Sequence, residues 1–454
     1  MQQHRPVPAT RISRLLHLGR LGSGIAGGAI SEGVRQLSNG NRPSAAELIM
    51  TPANANRLAE RLSEMRGAAM KLGQLLSMEA GDLLPDPLPD ILSRLRENAH
   101  PMPLGQVAQV LDDAWGPDWK HRFRRFSFTP LAAASIGQVH EAETRDGRHL
   151  AIKIQYPGIA RSIDSDLDNV AAMLRMFRLL PAGLELDPLL VEAKQQLHME
   201  TDYLLEAKQI HDYRTALGTL PGLRVPDVAE DLTTRTVLAM ELLDGAPIES
   251  VADQPGATRD RVATRLVEHA LRELFDWGLV QTDPNFANFR YRADADEIAL
   301  LDFGAVRRFD PERIEAFRTL ITATLDEDQD AVEAAAISVG YLSPEDDPEY
   351  RRAIVDMVTT AAEPARAQDA YDFRLEDLSE RLSQQVIALR VEQGFGRLPP
   401  PDVLYLHRKL GGLYLLCKRL RARVRVGDLV ATHLRRGTGL AGNGTRAGNA
   451  NQRE

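Results

Sequence analysis

The stretch from Gln281 to Gly304 constrains this chain more than any other. It reads Q-T-D-P-N-F-A-N-F-R, then a polar turn, then the apolar run I-A-L-L, then Asp302-Phe303-Gly304. An Asp-x4-Asn pair leading into an apolar strand that closes on an acid supplies hard oxygen donors at short range. Mg²⁺ prefers such donors and keeps its protein ligand set sparse, which leaves room for phosphate oxygens. Asp283 is then the base or substrate-orienting carboxylate, and Asn288 and Asp302 are the metal ligands. Asp-Phe-Gly alone is equally well a turn after a strand; its closeness to Asp-x4-Asn gives it weight.

Together the two motifs have the catalytic-loop and metal-loop layout of protein-kinase-like enzymes, with Gln281-Thr282 standing where His and Arg would. A chain of 454 residues with 43% apolar side chains can build the large core and two lobes that such a layout needs. Its single cysteine, Cys417, excludes a disulfide framework and a cysteine-cluster metal site, and fits a reducing compartment. The formal net charge of −9 argues against general nucleic-acid affinity, with a local basic patch near residues 408–423 left open. No run of about 18 apolar residues reads as a membrane span, and the first residues hold no long apolar leader. The expected location is cytoplasmic, with peripheral contact on the inner face of a membrane left open.

Residues 1–43 read as a flexible or amphipathic segment. From Arg11 to Gly33, Arg and His alternate with Leu before Gly takes over, which fits a frayed, closely packed helix and a cationic helix on an anionic membrane equally well. Residues 44–125 form a helical extension, opened by the capping-box pattern of Ser44 and Glu47. Lys71 and Gln74 fall on one side of this helix. They are either a solvated pair or part of a face that packs elsewhere, and the small Ala68, Ala69 and Gly73 favour the packed face.

Residues 126–245 change to strand periodicity and read as a kinase-like first lobe with a helical insertion. Ala132, Ala134, Gly137 and Val139 fall at the spacings of G-x-G-x-x-G-x-V, the loop that covers ATP phosphates, with Ala133 and Ser135 completing A-A-A-S. Alanine makes that loop stiffer than glycine would. The following A-I-K carries Lys153, whose ammonium would neutralise phosphate charge. One long helical stretch from about Asp187 holds Glu200, Asp202 and Glu206. Glu206 is the natural partner of Lys153. Of Glu200 and Asp202, one is expected to meet Lys71 or the metal-bound phosphates, with two solvated acids as the competing reading. Met240, Glu241, Leu242 and Leu243 occupy the place where a kinase hinge presents its backbone to adenine. Residues 246–435 form the second lobe; beyond Gly304 no A-P-E sequence follows, which argues against a protein substrate. Residues 436–454 are a Gly/Asn-rich tail of disordered composition. The expected fold class is α+β: two kinase-like lobes, a helical N-terminal extension and extra C-terminal helices.

Six motifs in order carry a resemblance: K-L-G-Q at Lys71–Gln74, A-A-A-S at Ala132–Ser135, Lys153 in A-I-K, E-T-D at Glu200–Asp202 followed by Glu206, Q-T-D-P-N-F-A-N at Gln281–Asn288, and Asp302 in D-F-G. From about Arg11 to about 432 the chain resembles the UbiB/ADCK family of atypical kinase-like ATPases, and most of all its mitochondrial-type coenzyme Q8 kinase branch. It departs from many bacterial members, which carry H-A-D-P-H-P-G-N and C-terminal membrane spans. The resemblance implies ATP and Mg²⁺ as cofactors and a role in ubiquinone biosynthesis. It also implies that Lys71 and Gln74 lie on a helix across the site, with Lys71 paired to Glu200, and that the alanine loop favours ATP hydrolysis or small-molecule work. The expected partners are ATP, an isoprenoid quinone precursor or lipid, other quinone-biosynthesis proteins and a membrane surface, with a homodimer open and no nucleic acid. The competing function is an ATP-binding scaffold or pseudokinase; a true protein kinase is the weakest reading.

Overall fold

The computed structural model describes residues 62, 65–80, 102–134, 136–176, 179–180, 186–375, 377–389 and 399–438. The expectations for residues 1–43, for Ser44 with Glu47, for Ser135 and for the tail past 438 lie outside these residues, as does the side chain of Gln74. The chain forms two units. The first runs to Asp212 and includes Pro226–Leu243; the second takes Tyr213–Val225 and the chain from Asp244 onward.

In the first unit, helix α1 (Arg66–Ala80) precedes α2 (Leu104–Trp115). Val107, Val110, Leu111 and Trp115 make one buried stripe on α2 at helical spacing. Strands β1 (Phe123–Phe126), β2 (Ala132–Ala133), β3 (Gly137–Thr144) and β4 (His149–Gln155) follow. After them come helices α3 (Ile159–Met176), α4 (Leu186–Glu200) and α5 (Tyr203–Leu217), of which α5 ends in the second unit and leads to β5 (Leu223–Arg224). Strand β6 (Val237–Glu241) then completes an antiparallel sheet of order β1-β3-β4-β6, with β2 paired to β3.

Strand alternation decides what each face of this sheet does. On β4, Leu150, Ile152 and Ile154 enter the core with the stripe of α2, while Lys153 and Gln155 point to the other face. The centre of that core is aromatic: the Trp119 ring lies 5.9 Å from Trp115 and 5.0 Å from Phe126. The Trp115 indole N–H donates to Leu232 O at 2.8 Å, so its polar edge is satisfied inside the core. Burying a ring of this size is worth about 3–5 kcal/mol relative to alanine.

The second unit takes the end of α5 and β5 and continues through β7 (Ala246–Pro247), α6 (Gly256–Arg272), β8 (Leu279–Gln281), β9 (Phe289–Arg292), β10 (Glu297–Leu300) and β11 (Val306–Arg308). One sheet has the order β5-β10-β9-β7; β8 and β11 pair separately and antiparallel. Helices α7 (Pro311–Leu325), α8 (Gln329–Val339), α9 (Pro348–Ala361) and α10 (Glu363–Arg366) come next. Strand β12 (Tyr371–Asp372) and helices α11 (Leu378–Ile387) and α12 (Pro401–Leu420) follow, then β13 (Arg423–Val424), which pairs with β12, and α13 (Val426–Thr438). The architecture is α+β, with helices ahead of the first sheet and an extended helical region at the C-terminal end. Among the described residues no helix is long and apolar enough to cross a membrane.

Candidate active site

In the first unit, the β4 register opposes Lys153 to Val139 on one side and Leu238 on the other. Its Nζ lies 2.5 Å from Glu206 Oε1 on α5, with the two side chains only 8% and 4% exposed. Gln155, two positions on and so on the same face, donates to Thr201 O at 2.8 Å and to Arg235 O at 3.2 Å, which fixes the start of α5 under the lysine. The single helix expected across Glu200–Glu206 is in fact two. Helix α4 stops at Glu200, Thr201 Oγ1 turns back to His198 O, and Asp202 caps α5 by accepting from the amides of Leu204 and Leu205. Helix capping by a short carboxylate is a local competitor to a continuous helix.

That break separates the two acids. Glu200 Oε1 lies 2.5 Å from Lys71 Nζ, with the lysine 5% and the glutamate 15% exposed, and α1 packs on α3 and α4. Asp202 turns instead to Arg235 at 2.7 Å.

The alanine loop is closed on itself. Ala132 pairs with Val139 and Ala133 with Gln138, while the Ala134 N–H donates to Gly137 O at 2.9 Å. A Cβ at Gly137 would run into the Ile154 carbonyl, so glycine serves a close approach of strands here. Below the loop, the His140 Nδ1–H donates to Ser127 O, its Nε2 accepts from the Gln138 amide, and Gln138 Oε1 accepts from Met102 N. Burial lowers the His140 imidazole below its usual value, in keeping with this neutral form. In the segment Met240–Leu243, the Glu241 amide donates to Asp227 O and the Leu242 amide to His149 O. Both are thus committed within the unit, which narrows what the segment can present to a nucleotide.

In the second unit, the β9–β10 register pairs Phe289 with Leu300, and the Leu301 N–H donates to Asn288 O at 2.9 Å. Asn288 and Asp302 thereby sit at the same end of one hairpin. The Asn288 amide donates to Asp283 Oδ2 at 2.8 Å, which leaves its Oδ1 as the acceptor for a cation. Asp302 Oδ1 accepts the Gly304 N–H at 2.9 Å, fixing the carboxylate in its loop. Gln281 ties the two loops: its Nε2 donates to Asp283 O at 3.0 Å and to Asp302 O at 3.4 Å. An amide oxygen and a carboxylate fixed in this way form a hard donor set that suits Mg²⁺.

Behind these loops lies a buried polar group that sequence reasoning missed. A π-helical turn after α6 places Glu273, fully buried, so that its Oε1 accepts from the Gln281 backbone N–H at 2.8 Å and the Tyr213 hydroxyl at 2.6 Å. Lys409 Nζ lies 2.6 Å from Glu273 Oε2, and His269 Nε2 is 2.5 Å from the Tyr213 hydroxyl. Burial lowers His269 to about 4 and raises the Tyr213 hydroxyl well above its usual range, where the Glu273 charge acts in the same direction. The Tyr213 ring also packs edge-on against Phe303 at 5.0 Å. Glu273 four positions after His269, on the helix face that carries Leu266 and Ala270, is the local signal that could have revealed this group.

A family model described as the ABC1 atypical kinase-like domain matches residues 94–336. The chain belongs to this family. Among its relatives, the Saccharomyces cerevisiae "Atypical kinase COQ8, mitochondrial" is 37% identical over 93% of this chain and 84% of the yeast protein. The Rattus norvegicus "Atypical kinase COQ8B, mitochondrial" is 37% identical over 94% of this chain and 81% of the rat protein. A solved Mycobacterium tuberculosis structure, the complex of Rv3197 with erythromycin, has a TM-score of 0.58 and 26% identity, and covers 83% of this chain and 94% of that one. The family assigned from the six motifs is therefore the right one, with mitochondrial COQ8 proteins among its relatives.

Proposed function

We propose that this member of the ABC1 family is a Mg²⁺-dependent ATPase or atypical small-molecule or lipid kinase that supports the making of ubiquinone or a related isoprenoid quinone. The observation that carries the reading is the Asp283–Asn288–Asp302 arrangement, in which the Asn288 amide is turned to Asp283 while its oxygen remains for a cation. In this reading Asp283 orients the acceptor O–H and takes its proton as the γ-phosphoryl passes from ATP to that oxygen, whether of water or of a small hydroxyl compound, and ADP leaves. Lys153, held by Glu206, offsets phosphate charge. Asn288 and Asp302 would hold Mg²⁺, which would supply charge neutralisation on the phosphates. The quinone assignment is supported by the names of the relatives, which are called atypical kinases of the COQ8 type.

A second reading, an ATP-binding scaffold with little turnover, is favoured by one feature: the Ala134 amide is already committed to Gly137 O. Purified protein assayed for ATP turnover with and without Mg²⁺, anionic vesicles and quinone precursors separates the two. Mg²⁺-dependent ADP release supports the enzyme; nucleotide binding without ADP release supports the scaffold.

A further inference from the structure

Helix α12 presents one face to the loops that carry Asp283 and Asp302. Asp402 Oδ2 lies 2.6 Å from Arg313 Nε at the start of α7. The Tyr405 hydroxyl accepts from Arg307 Nη2 at 2.8 Å, and the Arg307 guanidinium lies 4.5 Å from the centre of the Tyr405 ring. Lys409 pairs with Glu273, whose other oxygen holds the Gln281 amide. Gly412 lies so close to Pro284 that an added Cβ would overlap the proline ring. Positions 402, 405, 409 and 412 recur at intervals of three and four, which is one stripe of a helix. Their partners flank the chemistry: Arg307 follows Asp302-Phe303-Gly304 in β11, Pro284 follows Asp283, and Gln281 precedes it.

We infer that α12 is the positioning helix of this site, and that Gly412 sets the place of the Asp283 loop by letting the helix backbone seat Pro284. Glycine in mid-helix is costly compared with alanine, so its presence at 412 calls for a local reason. Pro284 supplies that reason. At Gly411, one position earlier, a Cβ would meet nothing within 4 Å, and the helix propensity argument is the same. The two neighbours therefore differ in one respect, contact with the loop. A side chain at 412 must push Pro284, and with it Asp283, away from the geometry fixed by the Asn288 amide.

The inference rests on the phosphoryl-transfer reading for its kinetic consequence but not for its structural one. Its test compares Gly412→Ala with Gly411→Ala in the full chain, by amide hydrogen exchange at residues 281–288 and by Mg²⁺-dependent ATP turnover. Gly411→Ala is expected to match the wild type in both. Gly412→Ala is expected to speed exchange in the loop and to lower kcat by roughly ten- to a hundredfold while KM for ATP stays within about threefold. Exchange sped up throughout the unit, rather than in the loop, overturns the inference, because Gly412 then serves packing alone. If Gly412→Ala does not fold, Tyr405→Phe, which removes only the hydroxyl that accepts from Arg307, carries the same two readouts with a smaller change. Two alanine variants alike in loop exchange overturn the inference. A wild-type protein without turnover overturns the proposed function instead, and loop exchange still decides the role of α12.

Discussion

The Asp302 carboxylate accepts from the Gly304 amide and the Asn288 amide donates to Asp283, and these two side chains make the chemical case at the scale of single residues. Asp302→Asn keeps an oxygen for the Gly304 amide but removes the negative charge a divalent cation requires. It is expected to lower Mg²⁺-dependent ATP turnover by on the order of a hundredfold or more, with little change in thermal midpoint of the nucleotide-free protein. Turnover equal to wild type would remove Asp302 from the metal site. The same scale shows what spacing can and cannot reveal. The meeting of Asp283 and Asn288 was legible because both lie within one short stretch, and the pairing of Lys153 with Glu206 because a lysine between isoleucines on a strand is unusual. Gln155, Gln281 and Glu273 were not, because each acts through backbone atoms of residues that the sequence does not bring near: Thr201 and Arg235, Asp302, and Gln281.

At the scale of elements, α1 is joined to α4 by the pair of Lys71 and Glu200, 2.5 Å apart and mostly removed from water. Such a pair adds modest net stability, yet removing one partner strands the other charge, at a cost of up to about 3–5 kcal/mol when burial is complete. Glu200 keeps some exposure, so a lower cost applies here. Lys71→Ala and Glu200→Ala are each expected to lower the urea midpoint and to change ATP turnover in the same direction. The double variant should fall short of the sum by about 1 kcal/mol or more. Strict additivity would mean that α1 is held by its apolar contacts alone. Helix α2 and strand β3 show their periodicity, because a stripe of α2 is buried and burial alternates along most of β3, whereas β4 is buried on both faces. The break between α4 and α5 does not show in this way, because the stretch is apolar enough to continue as helix and Asp202 reads as a surface acid until its two capping contacts are seen.

Across the whole molecule, the chain gathers Tyr213, His269, Glu273 and Lys409 from widely separated positions into one buried cluster of the second unit. Its histidine makes stability depend on pH. His269 sits at about 4 in the fold against an ordinary value of 6.5, because burial disfavours its charged form; the nearby Glu273 favours that form, while Lys409 and Arg272 oppose it. The unfolded chain therefore binds more protons than the folded one between these values. Stability is complete above about pH 6.5 and is lost as pH falls toward about 4, by on the order of 3 kcal/mol for this group. Asp296, lowered to about 2 chiefly by its hydrogen bonds from Arg261, acts in a lower window and loses its contribution only below about 3.8. His269→Gln keeps an N–H for the Tyr213 hydroxyl and cannot titrate. Its unfolding free energy, measured in urea from pH 7 to pH 4, is expected to decline less steeply than that of the wild type, with the two curves converging toward the acid end. If the two declines run parallel, the acid sensitivity arises elsewhere and the buried imidazole is not its source.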